Sequence, residues 1–255
     1  MERKRLPRTL QRGSENESFA VTSQTTSIAA NLEQVRERIA NAAARAGRRA
    51  DEITLVGVSK TFPGEAIREA YAAGLRHFGE NRIQEWESKR AALADLPVIL
   101  HFIGHLQSNK ARRAAHLCDR VDSVDSVGLA QKLHSAAGDE GKRLRVLIEV
   151  HLSEEPTKSG ASESDLLPLA GAVIALPSLE LLGLMAIPPY GDDPEQVRPY
   201  FRRLRELRNG LSHALNTHLP VLSMGMSHDF EVAIEEGATE VRVGTGIFGG
   251  RGSQE

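Results

Sequence analysis

The feature that most constrains this chain is an alternation. Apolar, β-branched runs recur along it at ITLVGVS (Ile53 to Ser59), HFG (His77 to Gly79), VILHFIG (Val98 to Gly104) and VDSVDS (Val121 to Ser126). They continue at RVLIEVHL (Arg145 to Leu152), LELLGLMAI (Leu179 to Ile187), PVLSMGMS (Pro220 to Ser227) and EVRVGTGIFG (Glu240 to Gly249). Between them the pattern has helical period over residues 65–73, 83–93, 108–117, 128–136, 163–176, 194–215 and 229–236. A further amphipathic helix precedes the first run, with Ile28, Leu32, Val35, Ile39 and Ala43 on one stripe and Gly47 at its stop. Near-continuous apolar strands need cover on both faces, and parallel strands joined by helical crossovers supply it. Eight such units in 255 residues predict one closed (β/α)8 barrel of the TIM type. An open doubly wound sheet would place a glycine-rich phosphate turn after its first strand. Here the first run leads into SKTFPGE instead.

Composition bounds the function classes. A formal net charge of -2 and a pI near 6.5 give no basic field for nucleic acid or an anionic membrane. The single cysteine, Cys118, excludes an intramolecular disulfide framework and a four-cysteine zinc site, and it fits a reducing compartment. No apolar run reaches the roughly 20 residues of a membrane span, and the N-terminus lacks a secretory apolar segment, so the expected location is cytoplasmic. Residues 1–26 are polar and aperiodic and are expected to form a disordered extension; the barrel is expected over 27–250, with 251–255 as a tail.

In such barrels the working groups sit at the C-terminal ends of the strands. Polar residues collect there. The first run ends on Ser59, Lys60 and Thr61, the second on Glu80 and Asn81, the seventh carries Ser223 and Ser227, and the eighth carries Arg242, Gly244 and Thr245. A lysine at the rim of a packed interior reads in two ways: as a partly desolvated amine able to condense with a carbonyl, or as a strand-end side chain reaching into water. VRVGTG also reads in two ways: as exposed amides that cradle a phosphate beside an arginine, or as a glycine-rich strand end needed for closure. Since first and last strands are neighbours in a closed barrel, lysine and phosphate cradle together suit an aldehyde bearing a phosphate.

The motifs GVSKTFP, HFGENRIQE, HFIGHLQSNK, TKSG, GLMAIPP, LSMGMSHDFEVAI and VRVGTGIFG, in this order, closely resemble the pyridoxal-phosphate homeostasis proteins of the YggS/PROSC type, from about Ile28 to Gly250. The resemblance implies an alanine racemase N-terminal-domain-like barrel, that is, a fold type III pyridoxal 5'-phosphate (PLP) protein without the C-terminal β domain. It implies Lys60 as the imine lysine and Arg242 facing the pyridine nitrogen. Gly244 and Thr245 would bind phosphate through backbone amides, helped by Ser223 and Ser227. Asn81 would approach the ring or its hydroxyl, and Met224 would pack on a ring face. Arg82 stands where many relatives carry an aromatic residue, which alters the contact made by the second loop. Lys110 and Lys158 read as solvated lysines.

The expected role is a monomeric, non-catalytic PLP carrier and regulator that affects amino-acid and keto-acid pools, with PLP-dependent apo-enzymes as recipients. Racemases of this fold use a second acid/base from a C-terminal domain, whereas this sequence ends at Glu255, and Tyr71, Tyr190 and Tyr200 offer no evident substitute. The alternative is a weak amino-acid racemase using the one lysine and water. A metal hydrolase on His101, His105 and Asp122 is the third reading, disfavoured because those residues lack helix-borne metal-ligand spacing.

Overall fold

Eight parallel strands close on themselves in sequence order, each paired with the next and β8 with β1. They are β1 (Thr54–Val58), β2 (His77–Glu80), β3 (Ile99–Phe102), β4 (Arg120–Val124), β5 (Leu144–Glu149), β6 (Leu179–Met185), β7 (Val221–Ser223) and β8 (Glu240–Val243). The computed structural model describes Met1 and residues 27–152 and 159–250. The expected extension beyond Met1, Thr157 and Lys158 of the TKSG motif, and the tail 251–255 lie outside the described residues.

The covering helices are α1 (Ile28–Arg45), α2 (Gly64–Ala72), α3 (Ile83–Arg90), α4 (Ala111–Leu117), α5 (Val127–Asp139), α6 (Glu163–Ile174), α7 (Arg198–Ala214), α8 (Phe230–Glu235) and the short α9 (Thr245–Phe248). The α1 stripe behaves as its period predicts: Leu32, Val35, Ile39 and Ala43 are buried, and the helix packs on α8 and α9. The Ser27 hydroxyl caps its start by accepting from the Ala30 amide. Among the described residues no helix is long and apolar enough to cross a membrane.

The last two strands stop earlier than their apolar runs. Gly225, at φ 93°, turns the chain out of β7, and a Cβ there would meet the Ala233 Cβ at 2.6 Å, so no larger residue fits this path. After β8 the amides of Ile247 and Phe248 both donate to the Gly244 carbonyl, so GIF belongs to a helix and not to an extended strand.

Strand parity decides what enters the barrel. On β8, Val241 and Val243 join the apolar layer beneath the helices, whereas Glu240 and Arg242 point the other way, into the interior. At the N-terminal end of the barrel, the interior is charged. Arg120 donates from Nε to Asp122 Oδ1 at 2.6 Å and from Nη2 to Asp122 Oδ2 at 2.8 Å and Glu240 Oε2 at 2.6 Å. His101 lies beside this group, its Nδ1 3.6 Å from Asp122 and its Nε2 2.9 Å from His77 Nδ1. Burial pushes the Asp122 carboxyl up, but Arg120 and His101 outweigh it and hold it well below the usual carboxylate range. These charges form the floor.

Candidate functional site

At the opposite end, β1, β2, β8 and the loops after β6 and β7 enclose a cavity of about 440 Å³. Lys60, Asn81, Ser227, Arg242, Gly244 and Thr245 all line it, six of the eight residues singled out from the sequence. Lys60 enters from the loop after β1, and Asn81 follows β2. The register of β1 against β8 places Val56 beside Arg242 and Gly57 beside Val243, which brings the end of the first strand to the end of the last.

The amides of Gly244 and Gly246 converge on one oxygen, donating to Ser227 Oγ at 3.2 and 3.4 Å. Two N–H groups aimed at one acceptor form a small anion cradle, filled in this structure by the serine hydroxyl. A Cβ at Gly246 would meet the Val243 Cγ1 at 2.9 Å, whereas one at Gly244 would make ordinary contact with Val58 at 3.4 Å, so the second glycine is the one with no room for a side chain.

Arg242 is almost wholly buried, 3% exposed, yet its hydrogen bonds go to neutral groups: Nη1 to Ser223 Oγ at 2.7 Å and Nη2 to the Ala186 carbonyl at 2.9 Å. Burial pulls its pKa down, and the fields of Glu240, Asp122, Glu149 and Asp229 act against that. A guanidinium held this way is fixed in direction and keeps its charge available to whatever enters the cavity.

Two sequence-predicted residues stand elsewhere. Ser223 lies behind the arginine, and its hydroxyl is committed to the guanidinium and not to the cradle. Met224 is fully buried in the apolar layer under the helices, and Met226 lines the cavity in its place. Strand alternation sends Ser223 inward and Met224 outward, and the Gly225 turn then returns Met226 to the mouth. Arg82 and Lys110 line a neighbouring concavity of about 660 Å³ that shares Asn81 with the first.

The structure adds residues that the sequence reading passed over. Tyr190 stacks on His228, centroids 5.7 Å apart, and both line the cavity. A tyrosine is therefore present at the mouth after all, brought there by the loop after β6. Asp229 accepts from the Met226 amide at 2.6 Å, and burial raises its pKa against that bond and the field of Arg242. Glu149, the last residue of β5, is buried with Oε2 unpartnered; burial pushes its pKa up to about 7 against the pull of Arg242, and Asp125 adds to the rise.

The residues of the metal reading do not assemble. His101 and Asp122 belong to the floor, and their third neighbour is Glu240, whereas His105 is exposed and lies 3.5 Å from Asp125. Arg120 already occupies both floor carboxylates.

Three comparisons with known proteins agree with this geometry. Residues 26–252 match the family described as "Alanine racemase, N-terminal domain". The chain is 50% identical over 220 residues to a "Pyridoxal phosphate homeostasis protein" of Aquifex aeolicus, covering 86% of this chain and 96% of that one. It is 45% identical over 229 residues to the protein of the same name from Escherichia coli, covering 88% and 97%. Among solved structures it is similar to PipY of Synechococcus elongatus with PLP bound, at TM-score 0.78 and 40% identity, covering 87% of this chain and all of that one. An alanine racemase of Clostridium difficile shares the fold at TM-score 0.67 and 14% identity, covering 88% of this chain and 58% of that one.

Proposed function

The chain belongs to the alanine racemase N-terminal domain family and, within it, to the pyridoxal phosphate homeostasis proteins, and from that membership we infer that it binds PLP at the barrel mouth and acts in PLP homeostasis. The observation that carries this reading is that Lys60 lines one cavity with Gly244, Thr245 and Ser227, whose hydroxyl oxygen accepts from the Gly244 and Gly246 amides. The residues present fit the cofactor. A volume of about 440 Å³ lies in the range of small-molecule sites, and the cavity offers an anion cradle, an amine and a buried guanidinium with neutral partners.

Bound there, PLP supplies an aldehyde, the group with which the Lys60 amine condenses. The chain's own residues do the rest. Gly244, Thr245 and Ser227 would hold the phosphate, Asn81 would flank the ring, and Arg242 would face the pyridine nitrogen, with Ser223 fixing the guanidinium from behind. A guanidinium at that nitrogen keeps it unprotonated and weakens the ring as an electron sink. A weakened electron sink supports a carrier over a catalyst, and the reading extends to cytoplasmic supply of PLP-dependent apo-enzymes.

Tyr190 at the cavity favours a second reading, a weak amino-acid racemase, since two-sided proton transfer needs one group on each face. Loaded protein incubated with a single enantiomer of alanine or serine separates the two. The carrier reading expects no racemisation beyond that of free PLP, and recovery of activity by an added PLP-dependent apo-enzyme. Turnover well above free PLP, lost in Tyr190→Phe, would establish the racemase.

A further inference from the structure

We propose that Lys89, acting with Glu80 and Glu85, is a positioning residue for Lys60: a buried charged clamp that grips the backbone on both sides of it. The inference rests on Lys60 being the cofactor lysine.

Lys89 lies on α3 with its side chain 7% exposed. Its ammonium donates to the Ser59 carbonyl at 2.9 Å, to Glu80 Oε1 at 2.8 Å and to Glu85 Oε1 at 2.9 Å, so all three of its donors are used. Glu80 Oε1 also accepts from the Ser59 hydroxyl at 2.7 Å, and Glu85 Oε1 accepts from the Thr61 amide. The three charged side chains therefore hold Ser59 and Thr61, the residues immediately before and after Lys60. Thr61 has φ 70°, in the left-handed region that β-branched residues avoid. A conformation of that kind persists only where the surroundings over-determine it, and the Glu85 contact does so.

Stability alone gives little reason for this arrangement. Burial opposes ionisation of Glu80, raising its pKa, and leaves its Oε2 without a partner. A buried ion cluster is often no more stable than apolar residues of similar volume. What the ions supply is direction, since Lys89 holds the Ser59 carbonyl and Glu85 the Thr61 amide. A misplacement of about 1 Å can cost on the order of 100-fold in a reaction between oriented groups. The amine on Lys60 must meet an aldehyde whose phosphate is held by the residues that follow the neighbouring strand, β8.

The test compares PLP loading of wild type, Lys89→Met, Glu85→Gln and Leu133→Ala. The last removes packing on α5, outside the clamp, and controls for a general loss of stability. The second-order loading rate is followed by absorbance, and the adduct is reduced with borohydride and mapped by mass spectrometry. The clamp predicts loading slowed by about tenfold or more in Lys89→Met and less in Glu85→Gln, which keeps size and shape, with Leu133→Ala loading normally despite its lowered Tm. If Lys89→Met does not fold, Glu85→Gln alone decides. Loading within twofold of wild type in the clamp variants, or equal slowing in Leu133→Ala, overturns the proposal. Absence of a Lys60 adduct in wild type instead defeats the cofactor reading, and the clamp with it.

Discussion

The floor and the mouth of the barrel each bury an arginine on an inward-facing strand position, and they use it differently. Arg120 is held by Asp122 and Glu240, and the two carboxylates push its pKa up although burial alone would lower it. Among the described residues the Arg242 guanidinium hydrogen-bonds to a hydroxyl and a carbonyl, and its pKa is pulled down. A buried charge that is already paired defines structure. One held by neutral groups at the edge of a cavity is available to a ligand.

Removing each arginine gives the largest contrast. Arg120→Met strands two buried carboxylates and should cost about 3–5 kcal/mol in denaturant unfolding. Arg242→Met leaves only neutral groups unpaired and should cost about 1–2 kcal/mol, while weakening PLP binding markedly. Equal costs would break the comparison.

The pH dependence of stability sharpens it, because the two ends titrate with opposite sign. The Glu149 pKa in the fold, about 7, lies above the unfolded value, so its contribution is intact at low pH and is lost as pH rises from about 4.5 through 7. Burial and the nearby His101 lower His77 to about 4, so its contribution is intact near neutrality and is lost as pH falls from about 6.5 through 4. Glu149→Gln should remove the alkaline loss, on the order of 3 kcal/mol, and leave stability rising with pH across this window. His77→Gln should leave it falling. Thermal unfolding between pH 4 and 8 reads both.

Smaller effects come from the mouth itself. Ser227→Ala removes the acceptor shared by the Gly244 and Gly246 amides and should cost about 1 kcal/mol in the unliganded protein. Lys60→Ala should change stability by no more than about 0.5 kcal/mol, since a half-buried side chain at the rim contributes little packing.

The architecture was legible because parallel strands buried on both faces leave a recurrent apolar signal and their crossovers leave a helical one. The ends of β7 and β8 were less so, since Gly225 and the GTGIF turn interrupt runs whose composition remains that of strands. Lys60, Arg242 and Gly244 could be placed at one mouth because adjacency of the first and last strands follows from closure. The roles of Ser223, Met224 and Met226 could not, because one left-handed glycine resets the alternation between them. Tyr190 reaches the cavity through a loop, where no period constrains direction. Glu85 and Lys89 have the four-residue spacing of a solvent-facing helical pair, and only the packing of α3 turns Lys89 inward.

The central claim is that Lys60, in the loop after β1, is the group that takes the cofactor. Borohydride reduction of the PLP-loaded protein, followed by peptide mapping, tests it directly. The account predicts one adduct, on Lys60, absent from Lys60→Ala; an adduct on any other lysine, or an equal yield in Lys60→Ala, would contradict it.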